Sequence, residues 1–154
     1  MAAESSSIRS GLNARVALLM ATRDQSHVLK SVRSLLVQTH QNFTLTIVDD
    51  GSNIAVSQYL LGIDDPRITV LRQAPQGLMA ALNIAIKKSK PAAFYGVVYA
   101  SCFYAPHYLF LLLNQLTRHP KHSGAYCHFC DGQTGAVFKE PFFDAHELLV
   151  RDTL

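Results

Sequence analysis

The stretch Phe43-Thr44-Leu45-Thr46-Ile47-Val48-Asp49-Asp50-Gly51-Ser52-Asn53 decides the reading of this chain. Phe43, Leu45 and Ile47 alternate with Thr44 and Thr46 at the period of a strand. The run then ends abruptly in two carboxylates and a glycine turn. In open parallel sheets ligands bind beyond the carboxyl ends of the strands, so acidic and small residues at such an exit carry more weight than on an arbitrary loop.

Working outward, Arg15 to Ala21 is a continuous apolar run of strand length. Thr22-Arg23-Asp24-Gln25-Ser26 follows it with turn chemistry and candidate helix caps. Val28 to Val37 has helical spacing through Val28, Val32, Leu35 and Leu36. The chain therefore opens β-α-β. Beyond the acidic turn, Ala55 to Leu61 predicts a short helix, and Asp64-Asp65-Pro66 a turn, because proline confines its predecessor to extended conformations. Ile68 to Leu71 is a third strand. Leu78 to Lys88 is a helix with an apolar stripe through Leu78, Ala81, Leu82, Ala85 and Ile86, and with lysines at its end, where the helix dipole favours them.

Phe94 to Tyr99 predicts a fourth strand, and Pro106 suits the first turn of a helix over His107 to Leu116. Gly124 to Phe129 reads as a further strand, Ala136 to Lys139 as an edge hairpin, and Asp144 as the cap of a last helix reaching Val150. Strands alternating with helices of this length predict an α/β fold with three layers and a mostly parallel, doubly wound sheet. Residues 1–13 are expected to be a disordered arm and 14–154 a single domain.

Composition narrows the classes. The chain has 154 residues, 49% of them hydrophobic and 16% charged, which excludes a disordered polypeptide and suffices for a core without staples. A formal charge of +3, from 14 basic and 11 acidic residues, is too small and too scattered for a nucleic-acid surface. No stretch approaches the roughly 18 apolar residues of a membrane span. The polar, Ser-rich start has no apolar segment of the secretory kind, so a cytoplasmic location is expected. Three cysteines, an odd number, argue against a disulfide framework.

Val16 to Asp24, Ser34 to Thr39, Ile47 to Ser52 and Gln76 to Asn83, in that order and spacing, resemble the family 2 glycosyltransferases. Those enzymes have the GT-A fold and commonly transfer a sugar from a nucleoside diphosphate sugar to an acceptor. The resemblance implies that Thr22, Asp49 and Asp50 contact the nucleoside, with a uridine nucleotide or nucleotide sugar as ligand. Independently of the family, the Gln76-Gly77 helix entry offers backbone N–H groups to an anion, which adds Gly77 to the candidate nucleotide-binding residues.

The departures from the family pattern are equally informative. Leu82 stands where the family usually has an arginine for the diphosphate, and a leucine can neither fork nor carry charge. Tyr99 and Ser101 occupy the two places of the family's Asp-any-Asp metal motif, and a neutral phenol or hydroxyl cannot balance a dication. The expectation is therefore a degenerate metal site, with neither manganese nor magnesium as cofactor. The family's general base lies later than the matched region, and Asp144, Glu147 and Asp152 read as solvated surface carboxylates.

The sequence thus predicts a family 2 glycosyltransferase-like domain with impaired catalysis. The alternative is a non-catalytic module that binds nucleotide or protein, with a homodimer through an exposed apolar patch. His119, His122, Cys127 and Cys130 have the count of a zinc site. An offset of three along a strand, however, would turn the two thiols to opposite faces.

Overall fold

A computed structural model of the chain describes residues 11–127, 129–130, 137–138 and 149–151. Its main sheet contains β1 (Val16–Thr22), β2 (Phe43–Asp49), β3 (Ile68–Arg72), β4 (Phe94–Val97), β5 (Gly124–Ala125) and β8 (Leu149–Arg151), in the spatial order β3-β2-β1-β4-β8-β5. The first four are mutually parallel, and β8 runs antiparallel between β4 and β5. β6 (Phe129–Cys130) and β7 (Val137–Phe138) form a separate antiparallel pair. The helices are α1 (Val28–Leu36), α2 (Val56–Tyr59), α3 (Leu78–Lys88) and α4 (Tyr108–Arg118).

Two apolar clusters make the predicted three layers. On one face, Val16, Leu18 and Met20 of β1 and Phe43, Leu45 and Ile47 of β2 meet Val28, Val32 and Leu35 of α1 and Leu109, Leu112, Leu113 and Leu116 of α4. These helical positions recur at the spacing that places side chains on one stripe. On the other face, Leu19 and Val48 meet Ala81, Leu82 and Ala85 of α3. The two fully buried alanines let that helix lie close to the sheet. Truncating a buried side chain such as Ile47 or Leu113 to alanine costs about 2–5 kcal/mol, from lost transfer energy and the cavity left behind.

Strand ends differ from expectation where pairing outlasts the apolar run. Thr22 pairs with Asp49 and Asp49 with Arg72. The Asp50 N–H then donates to the Thr22 carbonyl at 2.9 Å and the Gln73 N–H to the Asp49 carbonyl at 3.0 Å. β4 instead stops at Val97, short of the predicted Tyr99; the Val98 N–H still donates to the Leu19 carbonyl at 2.9 Å, and the Tyr99 N–H donates to the Tyr104 hydroxyl at 2.6 Å.

Two expectations are corrected. The predicted strand over Gly124 to Phe129 is two short strands with Cys127 between them, so strand alternation does not fix the relative facing of Cys127 and Cys130. The helix expected to reach Val150 is replaced at Leu149–Arg151 by β8, because pairing with the open edge of β4 outweighs local propensity. Asp144, Glu147 and Asp152 lie outside the described residues. Ahead of and at the start of α4, Tyr104 and Tyr108 pack with ring centroids 5.0 Å apart, and Phe103 is 77% exposed.

Of the expected N-terminal arm, residues 1–10 lie outside the described set. Within 11–13, Leu12 packs against the larger core, and the Asn13 carbonyl accepts from the Asn42 side chain at 2.7 Å. Among the described residues no helix is long and apolar enough to cross a membrane.

His40 sits near this end of the sheet, buried, with Nε2 3.1 Å from the Asn42 carbonyl. Burial holds its pKa below the ordinary value, against the raising effect of the carbonyls of Asn42, Ala14 and Leu12. The unfolded chain therefore binds the proton more readily. Stability is full above the unfolded pKa of about 6.5 and falls as pH drops from there through the folded pKa. Urea midpoints measured between about pH 7.5 and pH 5.5 should decline toward acid, and His40→Gln should flatten that slope whatever its own effect on stability.

Candidate functional site

A cleft of about 340 Å³ opens where the exits of β1, β2 and β4 meet. β1 runs to β2 on one side and pairs with β4 on the other, so this is the point where strand order reverses. Ala21, Thr22, Arg23 and Gln25 come from the β1 exit and Asp50 from the β2 exit. Gly77 and Leu78 line it from the start of α3, and Tyr99, Ala100 and Ser101 from beyond β4. The structure thus brings five of the sequence-predicted positions to one cavity: Thr22, Asp50, Gly77, Tyr99 and Ser101.

Asp50 organises the floor. Its Oδ1 accepts from the Gln73 side-chain amide at 2.6 Å and from the Gln76 N–H at 2.8 Å, and its Oδ2 accepts from the Gly77 N–H at 2.9 Å. The N–H groups expected to bind an anion thus bind the chain's own carboxylate. The Gln76 N–H above all, helped by Gln73, Gly77 and the charge of Arg23, holds the Asp50 carboxyl below its usual range although burial opposes this. Gly77 makes the approach possible: its φ of 94° and ψ of 163° lie in a region open essentially only to glycine.

Asp49 stands apart from the cleft. It is 1% exposed, and its oxygens accept from the Ser52 N–H at 2.8 Å and the Val56 N–H at 3.1 Å. Arg72 lies 3.6 Å away and also donates to the Ser52 carbonyl at 2.6 Å. Burial pushes this carboxyl up, but the hydrogen bonds of Ser52 and Val56 and the charge of Arg72 bring it below the usual value. Between the two acids and their loop, Gly51 has φ +76°, and a Cβ there would stand 2.5 Å from Pro75 Cγ.

The β4 exit loop is bolted to α1. Ser31 Oγ lies 2.7 Å from the Ala100 carbonyl and 2.6 Å from the Cys102 carbonyl. The Tyr104 N–H donates to Ser34 Oγ at 3.0 Å. Gln38, fully buried, donates to the Ala105 carbonyl at 2.6 Å and accepts from the Leu109 N–H at 3.0 Å, capping the start of α4. Sequence reasoning gave no role to Ser31, Ser34, Gln38 or Gln73, although Ser34 and Gln38 lie in one of the stretches that carry the family resemblance. The signal was there in Ser31 and Ser34, polar residues beside the apolar stripe of α1.

The family's metal does not fit the donors present. At the β4 exit the side chains are Tyr99 and Ser101, and Asp50, the one carboxylate among the described lining residues, is engaged by three N–H groups. No group of three or more potential metal-ligating side chains gathers among the described residues. Leu82, at the place of the family's arginine, lies in the apolar layer beneath α3.

Residues 19–140 match the family model described as glycosyl transferase family 2. The chain belongs to this family. An uncharacterized glycosyltransferase of Rickettsia conorii is 38% identical over 63 residues, which is 40% of this chain and 10% of that protein. One from Rickettsia felis matches to the same extent, and one from Rickettsia bellii is 36% identical over 62 residues. The match thus spans about a tenth of the length of these relatives.

Two acidic neighbours with different partners separate in experiment. Asp49→Asn should lower unfolding free energy by about 2 kcal/mol, because it turns an amide toward buried donors, and should leave nucleotide affinity of the folded protein within about twofold. Gly51→Ala should cost about 2–4 kcal/mol, from left-handed strain plus overlap with Pro75. Gly62→Ala, at φ +85° with open space around the added Cβ, should cost only about 1 kcal/mol. Urea unfolding of each variant checks both statements.

Proposed function

We propose that the cleft binds a nucleoside diphosphate or nucleotide sugar, with uracil as the base, and that catalysis by this domain is impaired. The observation carrying the reading is the state of Asp50. An ionised carboxylate offers about four lone-pair sites. Three are taken by Gln73, Gln76 and Gly77, so one, on Oδ2, is left for a ligand. Nearby in the same lining, Thr22 is 5% exposed and its Oγ1 has no hydrogen-bond partner.

A single acceptor and a single hydroxyl suit an imide edge, in which an N–H lies beside a carbonyl. Uracil presents that edge; cytosine presents an unprotonated ring nitrogen that a carboxylate repels. Asp50 would accept the ring N–H and Thr22 would donate to the carbonyl. Both residues are held by the backbone bond between them, so they are positioned before ligand arrives.

Sugar transfer in this family would displace the nucleotide from the anomeric carbon by an acceptor hydroxyl. In the family a divalent metal neutralises the departing diphosphate. Tyr99 and Ser101 supply no charge for it, which removes several kcal/mol of transition-state stabilisation. The reading is therefore a nucleotide-binding member of the family with little or no turnover, a pseudoenzyme rather than an efficient hexosyltransferase of polysaccharide synthesis.

Calorimetric titration should show saturable binding of uridine diphosphate, weaker binding of cytidine diphosphate, no response to manganese, and loss of binding in Asp50→Ala. Nucleotide sugars should be neither hydrolysed nor transferred. Affinity that depends on manganese, or robust transfer by the purified chain, would overturn the reading.

A further inference from the structure

A bound diphosphate needs its charge balanced, and the cleft has a cation that the sequence pattern did not single out. Arg23, immediately after Thr22, lines the cavity and is the one cationic side chain among its described lining residues. Its side chain is 56% exposed, and its ion pair with Asp24 is long, at 4.0 Å. An exposed pair at that separation contributes little and leaves the guanidinium available.

The backbone beneath Arg23 is fixed even though the side chain is not. Asp24 has φ +53°, a left-handed conformation that aspartate tolerates better than most residues. Its N–H donates to Ser52 Oγ at 2.9 Å, and its Oδ1 accepts from the Asn53 N–H at 2.7 Å. This clasp ties the β1 exit to the loop after β2. It engages Oδ1 of Asp24, while Oδ2 stands 4.0 Å from Arg23.

Across the cleft stands the start of α3, an 11-residue helix with no side-chain cap. Ala81 is the first residue whose N–H reaches the carbonyl of Gly77, at 3.1 Å, so the N–H groups of Leu78, Met79 and Ala80 precede the helical ladder. Thr22 lines the same cavity, nine-tenths buried, and its Oγ1 has no hydrogen-bond partner. A buried hydroxyl left without a partner calls for a polar one.

We propose that Arg23 and the uncapped first turn of α3 form a metal-free clamp for the diphosphate of the nucleotide. The clamp rests on the reading of this cleft as a nucleotide site and deepens it. Charge is supplied from the β1 exit, not from the Leu82 position, and without any ion at Tyr99 and Ser101. Arginine suits the task because its planar donors grip phosphate oxygens in a fork, and the helix start adds N–H groups with a favourable dipole.

The test titrates uridine and uridine diphosphate into the wild-type protein, Arg23→Gln and Arg23→Lys, once with a chelator and once with manganese. The diphosphate should bind the wild type about tenfold or more tighter than uridine, with a preference that weakens as salt is raised. Arg23→Gln should abolish that preference while uridine affinity stays within about twofold, and Arg23→Lys should keep part of it. An unchanged preference in Arg23→Gln, or one that arises only with manganese, overturns the clamp and leaves the nucleoside site standing. Binding of neither ligand to the wild type overturns both.

Discussion

The backbone bond from the Asp50 N–H to the Thr22 carbonyl is the constraint on which the site depends. It extends the β1–β2 ladder one step past the apolar core, into residues that carry polar function. Farther out, the Asp24 contacts to Ser52 and Asn53 join the two strand exits again. Through the backbone bond, the hydroxyl of one strand and the carboxylate of its neighbour are set by the same hydrogen-bonded register that fixes Leu18 against Leu45 and Met20 against Ile47 in the core. The large apolar burial on both faces of the sheet thereby transmits its order to the small cavity beyond the strand ends.

The two adjacent acids divide their labour. Successive residues along an extended chain point to opposite sides. Asp49 turns inward, to Ser52, Val56 and Arg72, and stabilises the loop leading to α2. Asp50 turns toward the cleft and gathers the loop leading to α3. The glycine after them is required because its neighbour in space is a proline ring, with no room for a side chain between them. A motif that looks like one recognition signature is thus a structural acid, a site acid and a contact too close for a Cβ.

Much of the fold was legible because its signals are periodic and local. α3 begins and ends where the apolar stripe, the preceding glycine and the terminal lysines place it. β1 and β2 follow their apolar runs to within a residue or two. What the sequence did not reveal depends on distant pairing. β8 forms because β4 leaves an open edge, a fact absent from the local pattern around Leu149. The clamp of Ser31, Ser34 and Gln38 on the β4 exit joins residues some seventy positions apart, from about 67 to 71. Arg23 was hidden for a similar reason: its place in the cleft follows from how β1, β2 and β4 converge, which no single segment records.

The clamp on the β4 exit has a consequence for how the cavity can respond to an occupant. One wall is pinned to α1 through Ser31, Ser34 and Tyr104, and the floor is pinned by Asp50 to the turn that begins α3. Neither can swing without breaking several buried polar contacts at once. Adaptation is left to the exposed side chains of the lining, the long Arg23 together with Gln25 and Leu78. The entropic toll of recognition on the protein side would therefore fall on these few side chains, and the scaffold around them behaves as a mould rather than a jaw.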